Sequence, residues 1–126
     1  MRKLFLVLFI VVAAFSTALA QQSQSAPNMG RAPARPDGIG RADVRVFDAQ
    51  GNPIKGARVH LKSTRSGGFF CESWAPTSAQ GVAVLPPLHM GNLELTVKAS
   101  GYQTQTLNVA ARSLSEPVRV TLVRKS

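Results

Sequence analysis

Residues 48–61, DAQGNPIKGARVHL, join two segments in which apolar and polar residues alternate. The segment before them, ADVRVF at 42–47, and the segment they lead into, ARVHLK at 57–62, have the period of two that is typical of half-buried strands. Between them, Asp, Gly, Asn and Pro supply turn chemistry, because Gly tolerates positive φ and Pro presets φ. The stretch therefore predicts a strand, a tight connection and a second strand.

Five more short segments with strand character follow, separated by turn signals. They cover residues 69–76, 82–85, 92–99, 102–109 and 118–122, and none of them has the 3.6-residue period of a helix. Seven short strands at this spacing predict an all-β fold, a β-sandwich of two packed sheets. The predicted inner faces consist of Val44, Val46, Val59, Leu61, Leu93, Leu95, Val97, Leu107, Val120 and Leu122.

The first 20 residues have the three regions of a secretory signal peptide. Arg2 and Lys3 form a basic start, residues 4–15 are apolar throughout, and Ala18-Leu19-Ala20 is an A-x-A cleavage site. We expect a signal helix that is cut after Ala20, and an exported protein that is periplasmic, extracellular or at the cell surface, with no membrane span left. The alternative is an uncleaved membrane anchor, since residues 4–20 have about the minimum length of a spanning helix.

The next stretch differs in composition from everything that follows it. Residues 21–40, QQSQSAPNMGRAPARPDGIG, are rich in Pro, Gly, Ser and Gln and have no apolar period. Such a composition predicts a disordered linker. The predicted organisation is therefore a signal peptide over 1–20, a linker over 21–40 and one β-sandwich domain over 41–126, which can bury a single modest core.

The chain is basic. It has 15 basic and six acidic residues, and loss of Arg2 and Lys3 with the leader leaves 13 basic residues and a formal charge of about +7. This excess favours polyanionic neighbours such as acidic polysaccharide, anionic lipid or nucleic acid. The basic residues are scattered singly, and no aromatic-plus-basic motif accompanies them, which argues against nucleic acid.

The residues that usually carry catalysis or metal binding are sparse. Cys71 is the only cysteine, so no internal disulfide can form, and we expect a small, buried apolar residue. His60 and His89 fall in different predicted elements, with no carboxylate at ligand spacing, so both are expected to be solvated. No pair of acidic residues suggests an acid/base dyad. The sequence predicts no catalytic residue, no metal and no cofactor.

Trp74 is the first candidate for ligand binding. It clusters with Phe69 and Phe70 in one predicted strand, and an exposed aromatic cluster would suit stacking on a sugar or a peptide. The alternative is that Trp74 fills the core, which the small size of the domain and its few other aromatic residues favour.

Five motifs follow one another along the chain in an order found in a known family. They are V-x-V-x-D at 44–48, G-x-P-I-x-G-A-x-V-x-L at 51–61, T-S-A-Q-G at 77–81, P-L-x-x-G-x-L-x-L-x-V at 87–97 and G-Y at 101–102. Together they resemble carboxypeptidase regulatory-like domains. The chain departs from that pattern at Ser78, where an acidic residue is usual, and at Leu93, where an aromatic residue is commoner.

The resemblance implies a seven-stranded, prealbumin-like Greek-key sandwich and a non-catalytic accessory module. Carbohydrate binding follows only by analogy, because starch-binding domains share the fold. In a prealbumin-like sandwich the first and last strands lie in one sheet. Arg45 and Arg119 would then form an outward basic patch for an anionic glycan or a lipid headgroup, unless they are ordinary solvated surface.

One family of enzymes also resembles the first strand and turn. Transthyretin-like hydroxyisourate hydrolases carry His in an H-V-x-D strand and end in Y-R-G-S, whereas this chain has Arg45 at the His position and ends in V-R-K-S. Without the imidazole the site lacks a general base near neutral pH.

We therefore predict a non-enzymatic exported module with a binding or structural role, whose partner is carbohydrate or an envelope protein. A hydroxyisourate hydrolase and a charge-driven polyanion-binding surface protein are the alternatives. The ligand, the oligomeric state and the redox state of Cys71 stay open.

Overall fold

In the computed structural model, two mainly antiparallel β-sheets enclose the core. The structure describes residues 26–126, and the predicted signal peptide and residues 21–25 lie outside that range. Two 3-10 helices, Ser66–Gly68 and Ala111–Ser115, lie between strands. Within residues 26–126 no helix has the length and hydrophobicity that crossing a bilayer requires. The strands are β1 Ile39–Gly40, β2 Asp43–Phe47, β3 Arg58–Thr64, β4 Phe70–Pro76, β5 Val82–Val84, β6 Leu88–His89, β7 Asn92–Lys98, β8 Gln105–Val109 and β9 Val118–Thr121.

The strands form one sheet of three, one sheet of four and a short additional pair. The three-stranded sheet has the order β5-β2-β9, the four-stranded sheet has the order β4-β3-β7-β8, and β1 pairs with β6. Pairing is antiparallel throughout except between β2 and β9, which are parallel. The described residues thus contain nine strands where the sequence predicts seven, because the period-two pattern does not detect the two-residue strands β1 and β6.

Residues 48–57 carry the chain from β2 in the three-stranded sheet to β3 in the four-stranded sheet. The Asp48 carboxylate accepts hydrogen bonds from the backbone N–H groups of Gln50 (3.0 Å) and Asn52 (2.9 Å). Gly51 has a φ of 85°, which an L side chain rarely adopts. The N–H of Ile54 then donates to the carbonyl of Val46 (3.0 Å). The side chain of Asp48 and the freedom of Gly51 therefore shape the connection between β2 and β3.

The core lies between the inner faces of the two sheets. Nine of the ten residues predicted for these faces are buried, and Leu107 is half-buried because β8 is the edge strand of its sheet. Met90 and Leu114 are also fully buried, although neither of them lies in a regular strand. The core therefore extends into connecting segments, where alternation along the sequence carries no signal.

The structure describes residues 26–40 of the stretch predicted as a disordered linker over 21–40, and these residues depart from that prediction. Residues 26–40 pack against the sandwich: Arg31 and Arg41 exchange backbone hydrogen bonds (2.8 and 2.9 Å), and the Asn28 side-chain amide donates to the Ser115 carbonyl (2.7 Å). A Cβ at Gly30 would lie 2.5 Å from the carbonyl oxygen of Leu114, so the backbone approaches closely there. Polar and backbone contacts hold this stretch, which a composition argument based on apolar burial does not detect.

Candidate functional site

The outer face of the four-stranded sheet presents an open depression around Trp74. The antiparallel register arranges its side chains in rows that run across the strands: Trp74, His60 and Thr96 form one row, Glu72, Lys62 and Glu94 the next, and Pro76, Arg58 and Lys98 a third. We call this open surface, which has a volume of about 790 Å³, the Trp74 depression.

Trp74 lies on the surface, not in the core that the sequence favours for it. Its side chain is 66% exposed, and Phe69 and Phe70 are 74% and 56% exposed. Successive residues of a strand point to opposite faces. In β4 the inner face therefore receives the small residues Cys71, Ser73 and Ala75, and Trp74 points outward. Cys71 is half-buried and packs against the core.

Charged and aromatic neighbours surround the indole. The ring of His60 lies 6.5 Å from that of Trp74, centroid to centroid, and is tilted by 30°. His60 is not simply solvated: its Nε2 is 3.3 Å from Oε1 of Glu72. The Lys62 ammonium lies 4.9 Å from the centre of the Phe70 ring. The depression thus combines an open apolar ring with hydrogen-bonding groups at its edge, an arrangement that suits a ligand with one apolar face and a polar rim.

Arg45 is held by the protein itself. Its guanidinium lies 3.1 Å from the fully buried carboxylate of Asp43 and donates to the carbonyls of Ala26 (3.0 Å) and Pro27 (3.1 Å). The same carboxylate accepts a hydrogen bond from the N–H of Met29 (2.9 Å). The Asp43–Arg45 pair therefore fixes the N-terminal segment, residues 26–31, on the outer face of the three-stranded sheet.

Arg119 shares that outer face with Arg45, which it opposes in the parallel pairing of β2 with β9. Its guanidinium lies 4.8 Å above the ring of Phe47, and its side chain is exposed. The structure thus brings together the two arginines that the sequence singles out, but Asp43 compensates the charge of one of them. The D-x-R spacing of Asp43 and Arg45, two residues on one face of a strand, is the sequence signal for this ion pair.

The other candidate side chains stay apart. His89 lies in the short pair of strands, with Nδ1 3.4 Å from the Asp37 carbonyl. Among residues 26–126, no three His, Cys, Asp or Glu side chains cluster in a way that could hold a metal ion.

A family comparison accounts for most of the sandwich. The model of the Carboxypeptidase regulatory-like domain family matches residues 43–123. The chain belongs to this family. In this carboxypeptidase regulatory-like domain the match extends from β2 to β9, so the N-terminal segment and β1 precede it. In the T-S-A-Q-G turn the Ser78 hydroxyl stands where the family usually has an acidic residue, and it accepts long hydrogen bonds from the N–H groups of Gln80 (3.3 Å) and Val82 (3.4 Å).

Solved structures support the sandwich fold of the domain. The wild-type catechol 1,2 dioxygenase of Acinetobacter radioresistens matches with a TM-score of 0.53 and 16% identity, over 68% of this chain and 52% of that one. Two mutants of the same enzyme match with TM-scores of 0.51, at 17% and 16% identity and the same coverage. The chain spans about half the length of these enzymes, and at this identity the likeness concerns the fold alone. A search of the curated proteins finds no match.

Proposed function

We propose that the protein is a non-catalytic, exported binding module that holds carbohydrate on the outer face of the four-stranded sheet, with Trp74 as the stacking residue. The observation that carries this proposal is the exposure of Trp74, 66%, inside a depression edged by hydrogen-bonding side chains.

The exposure of Trp74 has a cost that a binding role would explain. Burying a large apolar side chain is worth about 1.5–3 kcal/mol. A domain of this size has little stability to forgo. Exposed aromatic groups on a soluble protein mark interaction sites when they form a patch, and Phe70 extends this one along β4 by about 13 Å. A sugar ring offers the matching chemistry, because its C–H faces are apolar and its hydroxyl rim can bond to His60, Glu72 and Thr96.

Two observations support a role without catalysis. The first is the match to the carboxypeptidase regulatory-like family, whose domains usually serve as accessory modules without a catalytic role. At the position where hydroxyisourate hydrolases carry His, the guanidinium of Arg45 is engaged by Asp43 and by two backbone carbonyls. An always-charged arginine cannot serve there as a general base. The prealbumin-like topology belongs to the same proposal, and the pairing of β2 with β9 in one sheet supports it.

Export rests on the N-terminal sequence. The basic start, the apolar run and the A-x-A site over residues 2–20 are the pattern of a cleaved leader. We infer a periplasmic or cell-surface module, where glycans of the envelope would be within reach.

A glycan titration tests the proposal. Residues 21–126 are titrated with a panel of neutral and acidic oligosaccharides by calorimetry, with the emission of Trp74, the only tryptophan, recorded in parallel. We expect saturable binding, a change in emission, and a loss of about tenfold or more in Trp74→Ala, since aromatic stacking adds about 0.5–1.5 kcal/mol beyond the area it buries.

Phe69→Ala is the matched control, because it removes an aromatic residue that is even more exposed but lies outside the Trp74 depression. It should bind as the unmodified protein does. Absence of binding to every glycan, or equal binding by Trp74→Ala, would contradict the proposal and favour a protein partner. Binding that disappears at high salt in all variants alike would indicate charge-driven association instead.

A further inference from the structure

We propose that the carbohydrate is acidic, and that its carboxylate binds between Arg58 and Lys98 while its ring stacks on Trp74. This inference rests on the proposed function and specifies its ligand class. It comes from the distribution of charge across the rows of the depression.

Arg58 and Lys98 form a cross-strand pair of like charge. They lie directly opposite each other on β3 and β7, both are exposed, and the third member of their row is the uncharged Pro76. Like charges in directly opposite positions of a sheet destabilise it. Close contacts between basic and acidic side chains within residues 26–126 join Arg45 to Asp43 and His60 to Glu72, so neither cation of this row has a carboxylate partner there. An anion placed between them would remove the repulsion.

The other basic residues of the depression have acidic or aromatic neighbours. Lys62 stands between Glu72 and Glu94 in its row, and its ammonium also faces the Phe70 ring. His60 is paired with Glu72. The two glutamates therefore lie on one side of the row that contains Trp74, and the two uncompensated cations lie on the other side. The depression is polarised, and the positive end is the one at which Arg58 lies.

Another cross-strand pair of cations shows the contrast. Arg45 and Arg119 also face each other, on β2 and β9. Asp43 neutralises Arg45, and Arg119 lies over the Phe47 ring. The sheet compensates that pair from within, whereas nothing among residues 26–126 does so for Arg58 and Lys98.

The spacing fits a sugar that carries a carboxylate. Arg58 is the diagonal neighbour of Trp74, at a distance of about 7–8 Å between backbone positions. A ring on the indole would therefore place an exocyclic carboxylate within reach of the guanidinium, whose planar fork can bind both oxygens. Uronic acids have this combination of an apolar ring face and a carboxylate.

The experiment compares one sugar with and without its charge. Residues 21–126 are titrated by calorimetry with oligogalacturonate and with its methyl ester, which has the same rings but no carboxylates. The variants are Arg58→Gln/Lys98→Gln and, as a matched control with the same change in net charge, Lys55→Gln/Lys125→Gln, whose positions lie outside the depression. We expect about tenfold tighter binding of the acid than of the ester. This preference should be lost in the first variant and kept in the second.

A second measurement checks the repulsion without any ligand. Arg58→Gln/Lys98→Gln should melt at a temperature equal to or above that of the unmodified protein, and any gain should shrink as salt is added. A lower melting temperature would overturn the argument from like charge.

The binding outcomes separate the inference from the proposal on which it rests. Equal affinity for acid and ester, a preference that survives in Arg58→Gln/Lys98→Gln, or a preference lost equally in the control overturns the inference and leaves carbohydrate binding in place. No binding of either probe also overturns it. In that case the proposed function still stands if other glycans of the wider panel bind in a way that depends on Trp74.

Discussion

At the residue scale, the buried hydroxyl of Thr77 bridges residues 54–57, the turn just before β3. It donates to the carbonyl of Ile54 (2.6 Å) and accepts from the N–H of Ala57 (2.8 Å). The backbone of Thr77 adds hydrogen bonds to Gly56 and Ala57 (3.0 and 2.9 Å). A single side chain after β4 therefore fixes the turn that precedes β3.

Thr77→Val should lower the free energy of unfolding by about 2 kcal/mol or more. Valine has nearly the same shape but leaves a buried donor and a buried acceptor unsatisfied, and each such group costs about 1–3 kcal/mol. Urea denaturation followed by Trp74 fluorescence measures the change. Thr104→Val is the matched control: Thr104 is exposed, and its substitution should stay within about 0.5 kcal/mol. Equal loss in both variants would show that the hydroxyl of Thr77 has no special role.

Residue orientation is predictable only where one face of a strand is clearly apolar. In β7 the alternation of Leu93, Leu95 and Val97 with polar residues settles which side is buried, and the structure confirms it. In β4 the large aromatic residues occupy the outer positions and small residues occupy the inner ones. A prediction based on hydrophobicity therefore places Trp74 in the core, which is wrong. The alternation of side chains along β4 does not by itself tell which face is buried, because the register of β4 depends on its partner β3.

At the element scale, the N-terminal segment acts as a cover on the three-stranded sheet. Asp43 is on the outer face of β2 and is nevertheless fully buried, since residues 26–31 lie over it. Its negative charge there is matched by Arg45, which in turn binds the segment that covers both. The segment and the ion pair therefore depend on each other.

Arg45→Ala should release the N-terminal segment and cost about 3 kcal/mol or more. Removing one partner leaves the Asp43 carboxylate buried and uncompensated, a change that costs about 3–5 kcal/mol in buried pairs. Hydrogen exchange should become faster at the amides of Met29 and Arg31, both of which are hydrogen-bonded in the structure.

The control for this prediction is Arg119→Ala, which removes the facing arginine. Its side chain is exposed and contacts Phe47 through a cation–π interaction worth about 0.5–1 kcal/mol at such a site. It should leave the exchange of the N-terminal amides unchanged. If Arg45→Ala behaves in the same way, the segment is held by something other than the ion pair.

The elements show the same limit of sequence reasoning as the residues. Strands β2, β3 and β7 follow from local alternation and turn residues, because each of these signals is contained in a few neighbouring positions. The position of the N-terminal segment depends on contacts between residues that are far apart in the sequence, such as Asn28 and Ser115. A stretch rich in Pro and Gly gives no local sign of such a partner.

At the scale of the whole molecule, the proposed role requires that the domain leave the cytoplasm. Cleavage after Ala20 would place five residues, 21–25, ahead of the N-terminal segment. An uncleaved leader would instead keep the sandwich tethered close to the membrane. The two arrangements differ in mass and in location, so they can be separated without knowledge of the ligand.

Expressed with its own leader in a Gram-negative bacterium, the protein should be recovered from the periplasm with Gln21 as its first residue, as read by mass spectrometry. Ala20→Leu should block this step, because the cleavage site requires small residues at its first and third positions, and the longer protein should stay with the membrane fraction. Thr17→Leu places the same leucine side chain outside those two positions and should be processed normally. Recovery of the full-length chain in the cytoplasm, or equal processing of both variants, would contradict export by this leader. In that case the glycans that the Trp74 depression is proposed to bind would have to be sought inside the cell.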